Sequence, residues 1–170
     1  MDQQNTINDM KKLECPINWD LETMNVGNAA KKLLSRSETR NEGSDASSCW
    51  QAIAVDLCLA SLDYLSADKD NKMNEHLKHA NQLCEEHKEC YPLIREYSKC
   101  VKYILKAMWI YYYHKRGLTE DVEKNLKQIP AFEALPPKEK AGILAMKATC
   151  FMAFGPQGTY TTLRSLLKQN

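Results

Sequence analysis

"PLIREYSKCVKYILKAMWIYYYHKRG", Pro92 to Gly117, decides the fold class of this chain. Proline is tolerated in the first turn of a helix, and Ile94, Tyr97, Val101, Ile104, Met108 and Tyr111 recur behind it at intervals of three and four. That period puts an apolar stripe on one face of a helix that stops near Gly117. The opposite face is different in kind. Arg95, Lys99, Lys102 and Lys106 fall at i, i+4, i+7 and i+11, and Trp109 and Tyr113 extend the same line.

Outward from this helix the same period repeats in both directions. Upstream, Trp50, Ile53, Leu57, Ala60 and Tyr64 predict one helix and Met73, Leu77, Ala80 and Cys84 a second, joined by "SADKDNK". Downstream, Thr119 with Glu120 and Asp121 reads as a helix cap, and Val122, Leu126 and Ile129 form a short stripe before "IPAFEALPPKEK". After Pro136 and Pro137, a fifth helix carries Ala141, Leu144, Ala145, Ala148 and Phe151, and "FGPQG" turns into a sixth with Leu163, Leu166 and Leu167. The prediction is an all-α chain of three helical hairpins, 49–91, 92–131 and 136–170. A spacing near forty residues is that of tetratricopeptide-like solenoids. The small residues Ala60, Ala80, Ala107 and Ala148 sit where paired helices approach. Ahead of the array, residues 1–48 are expected to hold one helix from Leu21 to about Arg36 and a polar, mobile loop "SETRNEGSDASS".

Composition excludes several function classes. With 170 residues, 44% of them hydrophobic, the chain can bury one sizeable core. A net charge of +1 means that any attraction for polyanions must come from local clusters. No apolar run approaches the roughly 18 residues of a membrane span, and the polar N-terminus lacks a secretory signal, so a cytoplasmic protein is expected. Seven scattered cysteines fit reduced, mostly buried thiols better than a disulfide framework. Cys84, His87 and Cys90, with His76 and His79 upstream, offer zinc-type donors, yet positions i, i+3 and i+6 drift around a helix and converge poorly on one ion. Glycine-rich phosphate loops, nucleophile elbows and histidine-glutamate zinc helices are missing from the sequence, so neither an enzyme nor a cofactor is implied.

Several strings, in order, resemble the amino-terminal part of the interferon-induced proteins with tetratricopeptide repeats, an antiviral family. "LECPINWDL" (Leu13–Leu21) is similar to that family's opening element, and "LASLDYLSADKDNKMNEHLKHANQL" (Leu59–Leu83) to its first repeat. "AMWIYYYHKRGLTEDV" (Ala107–Val122) resembles the next repeat, with a longer turn, and "EKAGILAMKA" (Glu139–Ala148) the helix carrying a phosphate-contacting lysine, which falls on Lys147. The resemblance covers only the family's first subdomain, so the chain is expected to be a piece of a longer repeat protein or a short relative. It implies binding of 5′-phosphorylated single-stranded RNA. Lys147 is the best carry-over, Lys140 aligns with it two turns earlier, and Lys31, Lys32 and Arg36 fall near the family's RNA entrance.

The candidate RNA-binding set is therefore Lys147, Lys140, Arg95, Lys99, Lys102, Lys106, Trp109, Tyr113, Lys32 and Arg36. Cations interleaved with rings suit single strands, since the cations meet phosphates while flat rings stack with bases. The same residues also fit ordinary solvated helix faces with lysine stems over the core. Met108, Tyr111 and Tyr112 are assigned to the core, leaving Trp109 and Tyr113 for a ligand, a partner or the next layer. The alternative reading is a protein-interaction scaffold binding a partner peptide or another copy of the chain, a homo-oligomer formed through the leucines of the last hairpin.

Overall fold

A computed structural model describes residues 2–21, 45–66 and 72–154. Six α-helices are found among them, with no strand: α1 (Gln3–Lys11), α2 (Ala46–Leu65), α3 (Met73–His87), α4 (Pro92–Lys115), α5 (Thr119–Leu126) and α6 (Pro137–Phe154). Short 3₁₀ turns at Pro16–Asn18 and Phe132–Ala134 complete them. The all-helical expectation is borne out. Beyond Leu21, the helix expected over 21–36, with Lys31, Lys32 and Arg36, lies outside the described residues, as does the sixth helix with its leucines.

Local chemistry sets the boundaries. The Asp45 carboxylate caps α2, accepting a hydrogen bond from the Ser48 N–H at 2.7 Å. Pro92 opens α4 and Gly117 follows its end at φ +73°, a left-handed conformation in which glycine avoids the Cβ penalty. Thr119 is not the cap of α5 but its first residue. The cap position is Leu118, which offers no side-chain acceptor.

Two antiparallel hairpins, α2/α3 and α4/α5, pack side by side through α2, α3 and α4, and α6 lies against both α2 and α4. Cys150 on α6 donates its thiol to the Ala54 carbonyl at 3.9 Å, and Trp50 Nε1 on α2 donates to Thr149 Oγ1 at 2.9 Å. The first and third predicted hairpins thus touch directly, where a linear solenoid would hold them one layer apart. Gly142 permits the approach of α6 to α4, since a Cβ there would stand 2.3 Å from Cys100 Sγ.

This arrangement explains which residues are buried. Helix α2 is enclosed on all sides from Ile53 to Ser61, whereas the outer helix α3 buries one residue per turn, Met73, Leu77, Ala80 and Cys84. In α6 the buried face is Ile143, Met146 and Cys150, with Phe151 at its end; Ala141 and Ala145, expected inside, are exposed. The larger side chains turn inward because they remove more apolar area from water than alanines do.

The polar N-terminal segment forms the last part of the core. Leu13, Cys15, Trp19 and Leu21 are each at most 3% exposed. Tyr111 on α4 donates to Asn18 Oδ1 at 2.7 Å, Asn18 Nδ2 donates to the Leu13 carbonyl at 2.8 Å, and the Phe132 N–H donates to the Lys12 carbonyl at 3.0 Å. Burial pushes the Cys15 thiol up to about 12.

Candidate nucleic-acid interface

Helix α4 is the hub of the fold, touching every other helix. From Cys100 to Tyr111 only Lys102, Lys106 and Trp109 escape full burial. Part of the basic and aromatic line read from the sequence is therefore an open seam along the middle of this helix, bordered by α3 on one side and by the end of α5 on the other.

The border is polar and holds the cations. Lys102 Nζ donates to Asn81 Oδ1 and pairs with Glu85 Oε1, both on α3. Lys88 reaches the other Glu85 oxygen at 2.7 Å, and hydrogen bonds from Lys102 and Lys88 hold the Glu85 carboxyl down to about 2. Lys106 Nζ donates to Gln128 Oε1, just beyond α5, at 2.9 Å. Arg95 is committed elsewhere: its guanidinium donates to the carbonyls of Lys88 and Glu89 at 3.2 and 3.0 Å, satisfying the C-terminal end of α3. Lys99 is exposed on the turn between Arg95 and Lys102.

At the C-terminal end of the seam the rings form a group. Trp109 meets Tyr112 edge-on with centroids 5.2 Å apart and lies nearly parallel to Tyr113 at 5.9 Å, while Arg116 stands 4.8 Å over the Tyr112 ring. Tyr111 and Met108 are buried as expected, but Tyr112, assigned to the core from sequence, is half-buried like Trp109 and Tyr113. The reason is helical geometry: Tyr112 is three residues from Trp109, on its side of the helix.

Lys140 and Lys147 lie two turns apart along one side of α6, each beside a carboxylate and an aromatic ring. Lys147 Nζ lies 3.9 Å from Glu14 Oε2 and 5.8 Å from the Trp19 ring centroid. Lys140 Nζ lies 3.5 Å from Glu133 Oε2 and 5.8 Å over the Phe132 ring. The space beside Lys147 is taken by Glu14 and Trp19, in the segment whose leucines, cysteine and tryptophan complete the core.

Sequence reasoning passed over two groupings. Glu14 is one; nothing local marks it as the partner of a lysine 133 positions later. The other joins α2 to α3. Asp56, buried at 4% exposure, accepts at 2.5 Å from His79 Nδ1 and stands 3.6 Å from His76 Nδ1, whose Nε2 is 3.5 Å from Asp63 Oδ2. The imidazoles shield the Asp56 carboxylate from the surrounding apolar side chains. Among the described residues no group of three His, Cys, Asp or Glu is arranged to hold a metal. Cys84, His87 and Cys90 diverge: the first is buried, the second stacks on Tyr91 at 5.4 Å, and the third is exposed.

A cavity of about 100 Å³, lined by Gln3, Thr6, His114, Gly117, Thr119 and Val122, holds a few waters but not a nucleotide. Among the described residues no helix is long and apolar enough to cross a membrane. Comparison with protein-family models, with curated proteins and with solved structures returns no match to this chain.

Proposed function

We propose that this chain is a non-catalytic helical-repeat protein of the cytoplasm that binds single-stranded RNA, as its resemblance to the antiviral tetratricopeptide proteins implies. One observation carries the reading: the open seam of α4 presents Lys102 and Lys106 in line with the ring group of Trp109, Tyr112 and Tyr113. Phosphates meet the ammonium groups and an unpaired base stacks on the rings, which a duplex with its bases already stacked cannot do. Lys102 pairs with Glu85 and Lys106 with the neutral Gln128 amide at a solvent border, and exposed contacts of this kind are weak enough to exchange for phosphate. Lys140 and Lys147 are the groups for a 5′-phosphate.

Fluorescence anisotropy with a labelled single-stranded oligonucleotide tests it. Trp109→Ala is expected to weaken binding by about 1–3 kcal/mol, the range for one stacked base. Equal affinity of the wild type and Trp109→Ala for single strands, or a preference for duplex, contradicts the reading.

A second reading, a scaffold for a partner protein or a second copy, is favoured by a separate observation. Glu85, Glu14 and Glu133 already neutralise Lys102, Lys147 and Lys140, leaving little net positive field for RNA. Recovery of the same partner proteins after nuclease treatment distinguishes it.

A further inference from the structure

We infer that Glu14 is the residue that decides how many phosphates the Lys147 surface accepts; this rests on the RNA-binding reading only in naming RNA as the natural ligand.

Four features of the site lead there. Glu14 and Lys147 are both about three-quarters buried, with side chains 27% and 25% exposed, so their charges are screened less than those of a fully solvated pair. At 3.9 Å the two are too far apart for a hydrogen bond, so the carboxylate cancels the lysine's charge while leaving its N–H donors for something else. The carboxylate is also pinned. The same Oε2 accepts a hydrogen bond from Trp19 Nε1 at 2.5 Å, and Trp19 is 3% exposed, so Glu14 cannot swing away without orphaning a buried donor. Lys140 provides the contrast. Its partner Glu133 is 88% exposed, with no comparable anchor, and yields readily to an incoming anion.

A ligand arriving at this surface therefore finds one cation readily uncovered, Lys140, and a second, Lys147, with a fixed negative charge beside it. One phosphate can be accommodated by Lys140. Each further phosphate brought to Lys147 is repelled by Glu14 about as strongly as the ammonium attracts it. The wild-type chain then discriminates little between a 5′-triphosphate and a 5′-monophosphate end, although it carries the lysine that the resemblance associates with phosphate contact. Glu14→Gln removes the charge and keeps an amide oxygen to accept from Trp19.

The test uses the full chain with two probes. Calorimetry with inorganic tripolyphosphate requires no RNA binding at all, and anisotropy compares one single-stranded RNA carrying a 5′-triphosphate or a 5′-hydroxyl. Glu14→Gln is expected to bind tripolyphosphate and the triphosphate RNA about five- to tenfold more tightly than wild type, and the hydroxyl RNA within about twofold. The gain should vanish in Glu14→Gln/Lys147→Ala. If Glu14→Gln melts below the assay temperature, Trp19→Phe, which removes the anchoring N–H and retains a ring, is expected to give a smaller gain of the same sign. No gain in a folded Glu14→Gln or Trp19→Phe chain, or a gain that persists without Lys147, overturns the inference. Failure of every variant to bind either RNA removes the RNA reading alone, while the tripolyphosphate arm still decides the role of Glu14.

Discussion

Gly142 lies in the interior of α6, where replacing glycine by alanine normally favours the helix by about 1 kcal/mol. Here the added methyl is placed 2.3 Å from Cys100 Sγ and 2.8 Å from Tyr97 Cδ1, closer than atoms approach without displacement. Cys100 is 3% exposed and its thiol donates to the Glu139 carbonyl at 3.5 Å, so it has little room to retreat. Overpacking of this kind costs about 1–3 kcal/mol. With the propensity gain subtracted, Gly142→Ala is expected to destabilise the chain by up to about 2 kcal/mol, which lowers the melting temperature by up to roughly 8 °C. Guanidinium unfolding followed by circular dichroism at 222 nm measures it. The double variant Cys100→Ala/Gly142→Ala removes the closest clashing atom, so the two changes should be non-additive, with a coupling of about 1 kcal/mol. A Gly142→Ala chain more stable than wild type, or strict additivity with Cys100→Ala, refutes the close α4–α6 contact.

Further outcomes follow from the same geometry. Leu57, fully buried in α2, should cost about 2–5 kcal/mol on truncation to alanine, read from the same unfolding curves. A thiol-reactive chromogenic disulfide at pH 8 should modify Cys90 rapidly in the native chain, the other six thiols appearing only in denaturant, because they are buried and burial holds Cys15 at about 12 and Cys49 at about 11. The Glu85 carboxyl is depressed in the fold, so its stabilising contribution is present above its unfolded value near 4.5 and lost as pH falls toward about 2. The stability difference between wild type and Glu85→Gln should accordingly shrink across that interval in acid titrations. Glu85→Gln also releases Lys102 and is expected to tighten single-strand binding at pH 7.

What could be read from the sequence was whatever is decided within a few turns of one helix. Pro92, the period through Tyr111 and Gly117 mark α4, and the spacing from Lys102 to Trp109 marks a distinct face of it. The burial of α2 on all sides was not legible, because nine successive buried residues from Ile53 carry no period. Helix α1 is polar enough to look like a tail; its buried residues are only Thr6 and Met10. In α6 an alanine-rich pattern admits two faces, and contact with α2 and α4 selected the one with Ile143 and Met146. Arg95 belonged to the basic line by spacing, yet it caps the end of α3, a task that depends on where α3 ends. Glu14 could not be paired with Lys147 by any local rule, since their proximity depends on the N-terminal segment entering the core.

The most direct test of the RNA reading is the salt dependence of single-strand affinity. Anisotropy titrations of one unstructured oligonucleotide between 50 and 300 mM NaCl should give a log–log slope of about −2 to −3, as expected when about three or four phosphates are neutralised on a single strand. The slope should become shallower by about one unit or less in Lys102→Gln. An affinity independent of salt, or a slope unaltered by Lys102→Gln and Lys106→Gln together, contradicts the assignment of the α4 seam to RNA.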